Sequence, residues 1–288
     1  MYYLALVSLF WAFSFGLIGN RLAGMDSVQI TCLRLLLALL VFLPFFRPRG
    51  LRTGDTLRLL LCGSIQFGCM YLCYIQAFRY LPSHLVALFS ITTPLYVVII
   101  HELRSLRFQS RHFAAALLSI AGAAVIKIEA GSYEDLWTGF LLMQLSGIAF
   151  AFGQVYYRDW KQAHPRIQDA RIFALPYAGG CAAAFGYSFF ASDWSSFAPS
   201  PEQVVVLLYL GVIASGLGFF LWNKGASLSR AGTLAAFNNA VIPIGMFCSL
   251  FVFGEWHSIT LTDLLRLALG TVLIGVAVWL AERGGRRP

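Results

Sequence analysis

Arginine, glutamine, tyrosine and asparagine side chains lie inside long apolar stretches of this sequence, where each must find a partner, and these are the groups able to do chemistry. Arg34 sits about two turns inside an apolar run, a depth at which a cation is costly enough to point to function. It can orient an anionic group such as a substrate carboxylate, or it can fix helix ends through an ion pair or backbone carbonyls. In the following run Gln66, Met70, Tyr71 and Tyr74 recur at helical spacing. Tyrosine rings offer an apolar face with a polar tip and can hold a cation over the ring, although they also build interfacial belts. Ser90, Asn238 and Asn239 can hydrogen-bond a ligand or serve helix packing. Phe219, Phe220, Trp222 and Asn223 close another run, and Trp11 stands midway along the first, facing either solute or lipid. Pro94 and Pro243 each free one backbone carbonyl within an apolar run and permit a hinge or kink.

Other polar groups read differently. His84 at one end of the fourth run, and His101 with Glu102 at the other, could shuttle protons or be plain solvated ends. Gln144 and Gln154 are amides that can pair across helices. No H-E-x-x-H, G-x-S-x-G or paired-aspartate motif is present, and Glu255-Trp256-His257 has no third ligand nearby in sequence. The six cysteines all fall within apolar runs, where a thiol behaves as a small apolar residue. The chain therefore reads as no enzyme, with no cofactor and no metal. A channel is disfavoured by the lack of a filter-like segment or a repeated ring of charges.

The elements that position these groups follow from composition. Of 288 residues, 59% are hydrophobic and 12% charged, more apolar surface than a soluble domain can hide. A membrane-spanning helix takes about 20 residues. The apolar runs are Tyr2 to Ile18, Val28 to Phe46, Leu57 to Phe78, Ser83 to His101 and His112 to Ile126. They continue as Leu136 to Tyr156, Ile172 to Phe190, Val204 to Trp222, Gly232 to Phe253 and Leu261 to Leu280. The first run lacks a basic leader and an A-x-A site and reads as a retained helix. The expected fold is an all-α integral membrane protein of ten transmembrane helices.

Charge supports that count. With ten spans, most Lys and Arg fall on the side that carries both termini, including Arg47, Arg104, Arg166 and Arg283, while Asp26, Glu134, Asp193 and Glu202 fall opposite. The positive-inside rule places both termini in the cytoplasm. The net charge of +8 is then topology and implies no nucleic-acid partner.

The two halves also resemble each other. Phe13-Ser14-Phe15-Gly16, Arg21 and Arg34 align at one offset with Phe150-Ala151-Phe152-Gly153, Arg158 and Arg171, and the stretch Ala77 to Pro94 equals Ala226 to Pro243 in length. Five spans per half is an odd number, so the second copy enters the membrane inverted. Inverted repeats build secondary transporters, with substrate held near the midplane between the halves and access alternating by rocking. The expected organisation is a first repeat over residues 1–130 and a second over 131–288.

These features together resemble the drug/metabolite transporter superfamily, specifically its ten-helix EamA-type proteins. The resemblance covers nearly the whole chain. It is carried by Trp11 with its Phe/Ser/Gly run, Arg34 near the start of the second helix, Ala77 to Pro94, and the segment from Pro243 to Gly254-Glu255. One departure is that Glu102 follows Pro94 by fewer residues than Glu255 follows Pro243, so the fourth helix lacks a turn present in the ninth. The resemblance implies an inner-membrane exporter of small organic metabolites such as amino acids, aromatic solutes or amines. A cationic drug exporter is the alternative. The first helix holds no Asp or Glu, so the carboxylate coupling of the distantly related small multidrug-resistance proteins is not expected. Arg34 as the one deep basic group argues against a sugar-phosphate cargo. The partners are then a small-molecule substrate and the lipid bilayer, and a homodimer is compatible with a one-chain pathway.

Overall fold

A computed structural model describes residues 2–22, 24–81, 86, 89–106, 108–127, 136–251 and 261–282. Among these residues the regular structure is helical. The long helices are α1 (Tyr2–Gly16), α2 (Ser27–Phe45), α3 (Thr53–Ala77), α4 (Thr93–Ser105) and α5 (Ser110–Lys127), then α6 (Leu136–Ala163), α7 (Asp169–Ala191), α8 (Pro201–Leu228), α9 (Ala231–Phe251) and α10 (Leu261–Glu282). By length and composition α2, α3, α6, α7 and α8 suffice to cross a membrane, and shorter apolar stretches lie at Tyr2–Ser14, Ala231–Ile242 and Ala268–Leu280.

Local chemistry explains the helix starts. Asp26 caps α2, its carboxylate accepting from the amides of Val28 and Gln29. Ser200 and Gln203 form a capping box at α8, with Pro201 in the first turn where no amide is needed. These signals start α8 a few residues ahead of the apolar run, and α6 likewise runs on to Ala163, past the apolar limit at Tyr156.

Leu141, Leu145, Leu265, Leu269 and Val272 are exposed, whereas Arg34, Gln66, Gln154, Ser215, Asn223 and Asn239 are buried. A chain with leucines outward and amides inward is solvated by hydrocarbon, and the chain is a multi-pass membrane protein.

Packing follows a regular plan. Helix α1 lies against α8 and α9, α6 against α3 and α4, α2 against α7 and α8, and α3 against α7, while α5 packs on α10. Small residues permit the closest of these approaches. A Cβ on Gly63 would collide with the Pro176 carbonyl and one on Gly179 with the Leu60 carbonyl, so α3 and α7 touch backbone to backbone.

Two helices widen to π geometry, α3 at Ser64–Cys69 and α8 at Tyr209–Leu217, and α1 ends in a π turn at Leu17–Arg21. In α8 side chains from other helices bond to carbonyls of the widened segment. Tyr177 donates to the carbonyls of Ser215 (2.7 Å) and Gly216 (2.8 Å), and Trp11 Nε1 donates to that of Ala214 (2.9 Å). Such insertions concentrate at functional sites.

The prolines differ from one another. A 3-10 turn at Ser90–Thr92 precedes α4, and Pro94 occupies its first turn. The irregularity therefore falls just ahead of Pro94, whose missing amide costs nothing at that position. Helix α9 runs through Pro243 without interruption; the side chain of Pro243 lies outside the described residues. Also outside are Ser83, His84, Ala87 and the Glu255-Trp256-His257 triplet.

Candidate functional site

A cavity of about 120 Å³ opens where α1, α2, α3, α4, α6, α8 and α9 converge. Its wall is mostly apolar and aromatic, from Trp11, Met70, Tyr71, Tyr74, Met143, Phe150, Phe219 and Val241. Ser14, Ser90, Thr93, Ser146 and Asn238 add polar points, and Arg34 supplies the one charged side chain among its described lining residues. An apolar pocket with a few placed polar groups is the usual form of a small-molecule site.

Arg34 is 2% exposed. Its Nε donates to the Ser215 hydroxyl (3.2 Å) and its Nη2 to the Tyr71 hydroxyl (2.7 Å), while the guanidinium carbon stands 4.4 Å from the Tyr71 ring centroid. Tyr71 and Ser215 hydroxyls lie 2.9 Å apart and close the triangle. Nη1 is buried without a hydrogen-bond partner. None of the ion pairs among the described residues involves Arg34.

Trp11 faces this interior, its ring 5.0 Å from Phe219 and 4.8 Å from Trp222. Tyr74 follows Tyr71 along the wall, the two ring centroids 6.2 Å apart. Asn238 reaches Gln154 from both amide atoms, and Gln154 also accepts from Trp222 Nε1 (2.9 Å). The structure thus brings Trp11, Arg34, Tyr71, Tyr74, Ser90 and Asn238 to one cavity.

The remaining candidates lie elsewhere. Gln66 Nε2 donates to Asn223 Oδ1 (3.1 Å), and both residues are buried outside the cavity wall. Asn239 is fully buried beside α4, donating to the Ile91 carbonyl (3.1 Å), with its Oδ1 unpartnered. Gln144 ties α6 to the 3-10 turn by accepting from Thr92 and Tyr96, both at 2.7 Å. Sequence reasoning missed Ser215, Tyr177 and Thr93. Ser215 sits in the run Gly211 to Gly218, where nothing in the local pattern marks it as an arginine partner.

A second polar cluster closes one end of the bundle. Ligand-type atoms of His101, Glu102 and His112 all lie within 4.8 Å of one another. Glu102 accepts from the Gln109 amide (3.0 Å) and lies 3.0 Å from His112 Nδ1. Arg158 Nη1, which can only donate, lies 3.3 Å from His101 Nδ1. That nitrogen is thereby an acceptor already in use, and the cluster is a network of side chains joining α4, α5 and α6.

Comparison with known proteins matches this architecture. The EamA-like transporter family aligns with residues 1–128. A probable biotin transporter of Pseudomonas aeruginosa is 38% identical over 100% of this chain and 99% of its own length. The chain belongs to the EamA-like transporter family. This transporter is also 38% identical to the biotin transporter of Escherichia coli (strain K12), over 88% of the chain and 84% of that protein. A solved crystal structure shares the fold with a TM-score of 0.76 at 19% identity, covering 97% of this chain and 96% of that one. The family is one of transporters, and the absence of catalytic motifs agrees with that membership.

Proposed function

We propose that this EamA-like protein is a secondary transporter that moves biotin or a closely similar small organic acid across the inner membrane by alternating access. The observation that carries the reading is the cavity, whose wall draws Trp11, Arg34, Tyr71, Tyr74 and Ser90 from the first half of the chain and Phe150, Phe219 and Asn238 from the second. A site between halves is what a rocking mechanism requires. The relatives that match most of the chain carry the name of one solute, biotin.

Two inverted units, residues 1–130 and 131–288, each contributing five of ten helices, account for the packing. Exchanging α1 with α6, α2 with α7, α3 with α8 and α4 with α9 turns the α1–α9 contact into α6–α4. The same exchange turns α1–α8 into α6–α3 and α2–α8 into α7–α3, and all of these contacts exist. The π segments of α3 and α8 are exchanged as well. The cationic ends of α2, α3, α6 and α7 gather at one end of the bundle, where Arg47 meets Arg171 through a backbone hydrogen bond of 2.9 Å. That end is cytoplasmic in this reading, and both termini with it.

Amino acids, aromatic amines and cationic drugs fit less well. Arg34 is the charged residue of the described wall and repels a cation, and no described carboxylate there meets the ammonium of an amino acid. The test uses purified protein in liposomes loaded with unlabelled biotin, with entry of labelled biotin followed over time. Saturable exchange that needs biotin on both faces is the expected result, and the sidedness of net flux reads the direction. Folded, inserted protein that exchanges an amino acid or a cationic dye and not biotin overturns the substrate assignment.

A further inference from the structure

The cavity holds a buried cation with one fork of its guanidinium unfilled. Arg34 is 2% exposed, and none of the ion pairs among the described residues includes it. The partners it has are neutral hydroxyls, Ser215 on Nε and Tyr71 on Nη2, and its Nη1 has none. A charge held away from water without a counterion is unstable unless something supplies the anion. Hydroxyl partners hold the group in place without neutralising it.

The geometry points to Arg34 Nη1 as the recognition point for the carboxylate of the transported solute, making the protein selective for the acid over its uncharged ester or amide. Several features make the group suited to this. The guanidinium is fixed before substrate arrives, by two hydrogen bonds and by the Tyr71 ring 4.4 Å away, so little freedom is lost on binding. The Nη1 left over can donate to an anion without breaking either existing bond. The rest of the wall, with Tyr74, Met70, Phe150 and Phe219, is apolar enough to hold the hydrocarbon part of the same molecule. One carboxylate on an otherwise uncharged organic body is the chemistry that matches one cation in an apolar cavity.

Ser215 and Tyr71 are positioning residues in this scheme. Ser215 belongs to the π segment of α8, and the carbonyl of the same residue is held by Tyr177. Occupancy at Arg34 is therefore mechanically joined to the widened part of α8, across the contact between α2 and α8.

The inference rests on the reading of biotin as substrate, and the experiment separates the two. Binding of biotin and of biotin methyl ester to the detergent-purified protein is measured by calorimetry, for the native chain and for Arg34→Gln and Arg34→Lys. A charge-assisted hydrogen bond corresponds to about 10- to 100-fold in affinity, so biotin is expected to bind the native protein tighter than its ester by that factor. Arg34→Gln is expected to lower biotin affinity to that of the ester while leaving ester affinity within about twofold, and Arg34→Lys to restore part of the difference. Equal binding of acid and ester by the native chain overturns the carboxylate site and leaves biotin transport standing. Binding of neither compound overturns the substrate reading and the site with it. Should Arg34→Gln fail to fold, the acid-to-ester ratio of the Arg34→Lys protein against that of the native chain decides, an unchanged ratio overturning the site.

Discussion

At the scale of single residues, some buried polar groups line the cavity and others bond only within the protein. Gln66 and Asn223 belong to the second kind, 1% and 0% exposed and bonded to one another. Gln66→Leu leaves Asn223 Oδ1 without its donor, while Nδ2 keeps the Phe219 carbonyl, and is expected to cost about 1–3 kcal/mol of stability, seen as a lower thermal midpoint in detergent. Because neither side chain lines the cavity, biotin affinity should stay within about twofold; a larger loss would place Gln66 at the substrate. Arg34 and Tyr71 belong to the first kind. Arg34 was legible in the sequence because a cation deep in an apolar run is rare. Its partner Ser215 was not, because a serine among glycines carries no cost that would mark it.

At the scale of elements, the departures from regular helix matter most. The carbonyls freed in α8 by its π segment are taken up by Tyr177 and Trp11 from α7 and α1. Tyr177→Phe removes the donor to two carbonyls at once and should lower stability by about 1–3 kcal/mol. Exchange of amide hydrogens should accelerate along Tyr209–Leu217 more than along α5; uniform protection would mean the segment does not depend on Tyr177. Gly179→Ala tests the α3–α7 approach separately, since its Cβ meets the Leu60 carbonyl. Overpacking of this kind typically costs about 1–3 kcal/mol. The apolar spans could be read from hydropathy because the membrane imposes one rule along each helix. The π segments could not, because a one-residue insertion in the ladder leaves no mark in residue type.

At the scale of the whole molecule, orientation is the property most open to test. Arg49 and Ala198 are exposed residues in the links after α2 and after α7. In a background without the native cysteines, Arg49→Cys should react with an impermeant maleimide only from the cytoplasmic side, and Ala198→Cys only from the outside. The reverse pattern would invert the topology. The sequence by itself determined the solvent of this protein, its helical class and its deepest charge, since each is written in the composition of a local stretch. Only the tertiary structure decided which polar groups meet. Whether Arg34 faces Ser215, Asn223 faces Gln66, or Asn239 faces Ile91 depends on how each helix is rotated and offset against its neighbours. Contacts between residues far apart in the chain set that rotation, and no single helix contains the information.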